Sequence, residues 1–137
     1  MSPELDRALS LIVDVPDYPK PGVLFKDITP LLADGEGFKA VIGELSNRVR
    51  ALSAGVDAIV RKPGKLPRSV HRKDYSLEYG FDALELHKDL LLPNQNVMIV
   101  DDVLATGGTA LACHELVTLT GANIVGHLFL LEISFLA

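Results

Sequence analysis

Two aspartates, Asp101 and Asp102, stand side by side at the end of the apolar run Val97-Met98-Ile99-Val100. The residues that follow them, Ala105-Thr106-Gly107-Gly108-Thr109, carry no charge. Small residues let backbone N–H groups turn toward one point, and a helix starting there adds the positive end of its dipole. Thr106 and Thr109 add hydroxyl donors. The result is a cradle for one phosphate group. Carboxylates beside such a cradle repel a bare anion, yet they accept hydrogen bonds well from neutral hydroxyls. A ligand with phosphate at one end and a diol a few ångströms away resolves the conflict, and a ribose 5-phosphate has that shape. The same carboxylates can help hold a hydrated Mg²⁺ that bridges to further phosphates.

Blander readings of the same residues stand beside this one. A Gly-Gly loop before a helix is often only a tight turn, and paired aspartates at a strand end can be a cap plus a solvated charge. The stretch is not a P-loop, because no Gly-Lys-Ser/Thr follows, and Gly-x-Gly-x-x-Gly is absent. A response-regulator receiver also opens with paired acids. Here the pair comes at 101 of 137 residues, which leaves no room for the later phosphoacceptor strand.

Asn96 to Val100 is a buried strand, with both acids at its carboxyl end, where open α/β sheets bind ligands. Thr109 to Thr120 is a helix ended by Gly121, and Asn123 to Ile133 is a last, nearly all apolar strand whose stretch Gly126 to Leu131 is apolar enough to be central in a sheet. Strand, loop, helix, strand is a βαβ unit and implies parallel pairing. Upstream, Ser2 to Val13 reads as a helix capped by Ser2, with Pro3 in its first turn. Pro16, Pro19, Pro21 and Gly22 force extended chain. Gly37 to Leu52 is a helix with Phe38, Val41, Ile42, Leu45 and Val49 as its buried stripe. Val56 to Val60 is a short buried strand. Arg61-Lys62-Pro63-Gly64-Lys65-Leu66-Pro67 can be neither helix nor central strand. Tyr75–Tyr79 and Ala83–His87 alternate like two strands around a turn at Gly80-Phe81-Asp82.

Composition narrows the function classes. Thirteen basic against 18 acidic residues, net −5, leave no basic excess to neutralise nucleic-acid phosphates. Cys113 is alone, so neither an internal disulfide nor a cysteine metal cluster forms; apolar neighbours make it a buried, inert thiol. His71, His87, His114 and His127 are scattered without metal spacing and read as structural or surface residues. No apolar run reaches the ~18 residues of a membrane span, and no signal-peptide pattern opens the chain, so a soluble cytoplasmic protein is expected.

Val97 to Thr109 resembles the phosphoribosyl-pyrophosphate (PRPP) binding motif of the type I phosphoribosyltransferases. Three further stretches, 19–28, 61–67 and 75–80, are similar in order to the adenine phosphoribosyltransferase family. That resemblance covers nearly the whole chain. It implies one α/β domain over 1–137: a mainly parallel, Rossmann-like sheet flanked by helices, a small N-terminal hood over 1–33, and a core over 34–137 that includes a lid at 61–80. It implies transfer of ribosyl 5-phosphate from PRPP to adenine, giving AMP and pyrophosphate. Mg²⁺ would sit mostly on PRPP near Asp101 and Asp102, with no direct protein metal site.

By matching position, Asp101 and Asp102 would hold the ribose hydroxyls, and Ala105, Thr106, Gly107, Gly108 and Thr109 the 5-phosphate. Glu78 would act in base recognition or proton handling from the flexible loop. Arg61, Lys62 and Lys65 would face the pyrophosphate. Val23, Leu24, Phe25 and Lys26 would cover adenine, with Phe25 either stacking on the base or packing into the core. The family is usually homodimeric.

One departure stands out. In the family, the strand matching Val56 to Val60 runs into a pyrophosphate-binding loop, a helix and another strand. Here Val60 is followed at once by Arg61. The missing strand–loop–helix block should expose apolar surface or force neighbours to re-pair, and it removes donors from the leaving pyrophosphate. Three functions therefore compete: an adenine phosphoribosyltransferase weakened by that loss, a catalytically silent nucleotide- or PRPP-binding regulatory module, and a truncated product without a role.

Overall fold

The structure, a computed structural model, describes residues 2–52, 60–77 and 80–133. The expected strand at 56–60 falls almost wholly outside them. The chain divides into two compact units, 1–48 and 49–137.

In the first unit, Ser2 caps α1 (Pro3–Leu9) by accepting from the Leu5 N–H at 3.3 Å. The helix stops short of the expected Val13, because Val13 enters strand β1 (Val13–Pro16). β1 pairs antiparallel with β2 (Leu24–Asp27), so the proline-rich stretch becomes the connection of a two-stranded ribbon. A short helix α2 (Thr29–Ala33), not foreseen, starts where Asp27 accepts from the backbone and hydroxyl of Thr29. Helix α3 (Gly35–Ala51) starts two residues early because Asp34 caps it, accepting from the Gly37 N–H at 2.7 Å. Arg7 grips the same carboxylate with two nitrogens at 2.9 and 2.8 Å and holds its pKa down at about 2. A side chain at Gly37 would press on the side chains of Asp34, Leu11 and Leu31 at 3.0–3.2 Å and push them aside. This close approach centres the buried stripe on Gly37 and Val41. Phe38 and Ile42, one position round the helix, are each 44% exposed, contrary to the expected stripe.

In the second unit, β3 (Val70–Leu77) and β4 (Gly80–His87) form an antiparallel hairpin. The expected turn at Gly80-Phe81-Asp82 is corrected: these residues belong to β4. The register pairs Leu77 with Gly80, Ser76 with Phe81 and Tyr75 with Asp82. That register carries the ladder back to Val70, matched with His87, and so satisfies backbone groups that the shorter strands would leave unpaired.

Strand β5 (Asn96–Leu104) leads into α4 (Gly108–Thr118) and then β6 (Asn123–Glu132), which pairs parallel with β5. This is the expected βαβ unit. The core gathers Leu84, Leu86, Leu91, Val97, Ile99, Ala112, Leu116 and Val117. The residues of β6 are half-buried or exposed, and among the described strands its partner is β5. Val100, in mid-β5, is 48% exposed. None of the described helices is long and apolar enough to cross a membrane.

Candidate active site

Asp101 and Asp102 lie within β5 rather than beyond its end, because β6 accompanies the strand to Leu104. Side chains alternate along a strand, so Asp101 shares the face of Val97 and Ile99 and Asp102 takes the other. The Asp102 N–H donates to the Asp101 carboxylate at 2.9 Å. Partial burial raises the Asp101 pKa above the ordinary carboxylate value, and the Asp102 charge adds to the rise against that one hydrogen bond.

The loop then turns sharply into α4. Gly107 has φ 81° and ψ −4°, a left-handed conformation that suits glycine, and no side chain caps the helix there. A side-chain carbon at Gly107 would meet nothing within 4 Å, so the space before the helix N-terminus is open. Gly108 is glycine for another reason: a carbon there would lie 3.2 Å from the Ser76 carbonyl and 3.6 Å from the Tyr75 ring. β3 crosses the loop at that point, and the Thr109 hydroxyl donates to the Tyr75 hydroxyl at 3.3 Å. Tyr75 was not foreseen as a site residue. Its place in the short Tyr75-Ser76-Leu77 run was the available signal.

The basic segment is fastened to β4. Arg61 exchanges backbone hydrogen bonds with Glu85 at 3.0 and 2.8 Å, and the Gly64 N–H donates to the Glu85 carboxylate at 3.0 Å. Lys62 pairs with Asp82 at 2.7 Å, which raises the lysine and lowers the aspartate. Glu85, buried as it is, is an anchor that sequence reasoning missed; a lone carboxylate in the apolar run Ala83–Leu86 was its signal. Lys65 is exposed.

A cavity of about 390 Å³ opens between the basic segment, β5 and α4. Arg61, Lys62, Asp101 and Thr109 line it together, against Leu86 and Ile99. Asp102, Lys65 and the loop 105–108 are not among its walls. Cys113 also faces it; burial, reinforced by Asp101, pushes that thiol up to about 11, so it stays protonated at neutral pH as expected.

The hood residues belong to the first unit. Leu24, Phe25 and Lys26 are in β2, and Lys26 pairs with Asp14 across the ribbon. Phe25 is 42% exposed and meets Tyr18 edge-on, with ring centres 5.1 Å apart, so it does not pack into the core. Val23 accepts from the Tyr18 N–H through its carbonyl. Glu78 lies outside the described residues.

The histidines are less scattered than expected. His87 is buried with its Nδ1 3.3 Å from the Arg68 guanidinium. His114 in α4 and His127 in β6 meet at 3.3 Å between ring nitrogens. They lie 13 positions apart, and only the packing of helix on strand brings them together.

No family model matches the chain. Individual proteins do. The adenine phosphoribosyltransferase of Anaeromyxobacter dehalogenans is 47% identical over 155 aligned positions, covering 96% of this chain and 90% of the relative. That of a Nocardioides species is 44% identical over 161 positions, covering 98% and 87%. Both alignments are longer than the chain of 137 residues, so both relatives carry positions with no counterpart here. In three dimensions, the crystal structure of the Saccharomyces cerevisiae adenine phosphoribosyltransferase, complexed with an imino-altritol bisphosphate and adenine, matches with a TM-score of 0.90 at 28% identity, over 99% of this chain and 92% of that one.

Proposed function

We propose that this chain, which belongs to the adenine phosphoribosyltransferase family, joins adenine to the ribosyl 5-phosphate of PRPP and releases pyrophosphate. One observation carries the reading: α4 starts uncapped behind a left-handed Gly107, and its first-turn Thr109 lines one cavity with Asp101. The backbone donors of 105–109 take the 5-phosphate. Asp101 accepts from a ribose hydroxyl inside the cavity, and Asp102 from the opposite face of the strand. Charge developing on the ribose ring in the transition state is stabilised by these fixed carboxylates, the kind of term that dominates many rate enhancements. Arg61 and Lys62 face the pyrophosphate from the far wall, while Phe25 and its β2 neighbours supply the face for adenine and Glu78 the proton handling at the base.

The donor set fits Mg²⁺ brought in on PRPP. Among the described residues no group of three or more His, Cys, Asp or Glu gathers, and Mg²⁺ keeps several waters while using one or two carboxylates and substrate phosphates. Asp101 and Asp102 would help hold it, and it would supply neutralising charge to the leaving pyrophosphate. The same proposal includes a cytoplasmic homodimer, which sedimentation tests directly. The experiment for the activity is incubation with adenine, PRPP and Mg²⁺: AMP above a no-enzyme blank is expected, and its absence sinks the enzymatic reading.

The unmatched positions of the relatives favour a second reading, a binding module that keeps the cradle without turnover. It predicts that AMP or PRPP raises the melting temperature while no AMP forms. A cooperative melt in either case counts against a truncated product without a role.

A further inference from the structure

The meeting of His114 and His127 has a geometry of its own. Their ring planes are within 11° of parallel and the ring centres are 5.2 Å apart, yet the facing nitrogens are only 3.3 Å apart. The rings are therefore stacked with a lateral offset that brings one nitrogen of each within hydrogen-bond distance of the other. We propose that His114 Nδ1 and His127 Nε2 form a two-imidazole site for a divalent transition ion of the Zn²⁺ class.

Zn–N bonds of ~2.0–2.1 Å at a tetrahedral angle place two nitrogens roughly 3.3–3.4 Å apart, the separation found here. Both ligands stand on regular elements, α4 and β6, so little ordering is required on binding. His114 is half-buried and His127 exposed, which leaves the outer side of the ion open to solvent. No third His, Cys, Asp or Glu joins the pair among the described residues, so water completes the coordination. Imidazole selects Zn²⁺, Cu²⁺ or Ni²⁺ over Mg²⁺, which prefers oxygen. The site is thus separate in chemistry from any Mg²⁺ carried by PRPP. Occupied, it ties the helix that begins at the phosphate cradle to the strand beside β5.

The test is Zn²⁺ uptake by the full chain at neutral pH, read by competition with a chromophoric chelator and by thermal melting. One equivalent per chain and a melting temperature that climbs with Zn²⁺ concentration are expected, with no such climb in Mg²⁺. His114→Gln and His127→Gln should each abolish both readouts, while His71→Gln keeps them. Failure of the parent chain to take up Zn²⁺, or uptake by either variant equal to the parent's, overturns the site. Should either variant fail to fold, diethyl pyrocarbonate labelling of the parent chain decides: Zn²⁺ should slow modification of His114 and His127 but not of His71. Unchanged rates at the pair overturn the proposal.

Discussion

The two walls of the cavity treat their polar groups in opposite ways. On the β5–α4 side, Asp101 and Thr109 line the cavity, and the loop just outside it leaves the helix without a side-chain cap and Gly107 facing open space. On the 61–66 side, the polar groups are turned inward: Arg61 and Gly64 are bonded to Glu85, and Lys62 is paired with Asp82. A wall that must receive an anion keeps donors free, whereas a wall that must hold its place uses them on itself. Binding capacity should therefore be concentrated on the first wall. The second should contribute through how firmly it is held, and each variant below shifts that balance in a known direction.

The largest effect is expected at Gly107. In Gly107→Val a β-branched side chain enters the open space, and the left-handed backbone costs about 1–2 kcal/mol in addition. AMP and PRPP affinity should fall by ~10² or more, the scale for losing fixed anion donors. Calorimetric titration that finds normal AMP affinity would show that the loop is only a turn.

Next come the paired acids, which the alternation of β5 separates. Asp101 lines the cavity and Asp102 does not, so Asp101→Asn should lower turnover and PRPP affinity more than Asp102→Asn. Equal losses in the two variants would remove this distinction, and no loss in the double variant would remove the diol role altogether. Asp101 also makes a claim about pH. Its folded pKa is raised by burial, so its contribution to stability is fully present below the unfolded value and is lost as pH rises through the folded one. Asp101→Asn should therefore melt higher than the parent chain at pH 7 and show no gain near pH 3. A lower melting temperature at pH 7 contradicts the raised pKa.

The contrast between the walls also explains what could be read without coordinates. The first wall is local: Val97 to Thr109 contains strand, loop and helix start in one stretch, so residue types and spacing sufficed to place those elements. The strand end was misjudged because β6, a distant segment, extends β5 past both acids. The hairpin turn was placed at the conspicuous Gly80, although the register depends on all eight cross-strand pairs. Phe38 and Ile42 fit a helical stripe by periodicity, but the close approach at Gly37 selects which face is buried. The second wall depends on Glu85 reaching back 21 positions to Gly64, and the His114–His127 pair on helix packing. Neither has a local signature.

Glu85 gives the third prediction. Its backbone holds Arg61 and its buried carboxylate holds Gly64, so Glu85→Ala keeps the Arg61 bonds and leaves the Gly64 N–H without its partner. A destabilisation of about 1–3 kcal/mol is expected in urea unfolding, with AMP affinity at the opposite wall nearly unchanged. A parallel loss of AMP affinity would mean that the two walls act as one unit.

The smallest effect is the one that reverses sign. Lys62 is exposed and Asp82 half-buried, and a pair open to water on one side contributes little to stability once side-chain entropy and solvent screening act. Asp82→Asn should leave the melting temperature almost unmoved. It should, however, free Lys62 from its internal partner and leave the ammonium at the cavity wall available to pyrophosphate. PRPP affinity should then rise by a few-fold at low ionic strength, and the gain should shrink as salt approaches about 1 M, where the screening length is only ~3 Å. AMP, which carries no pyrophosphate, should show no such gain. An equal rise for AMP would assign the effect to the cavity's general field, and a fall for PRPP would place Lys62's useful position in its bond to Asp82 rather than in its release.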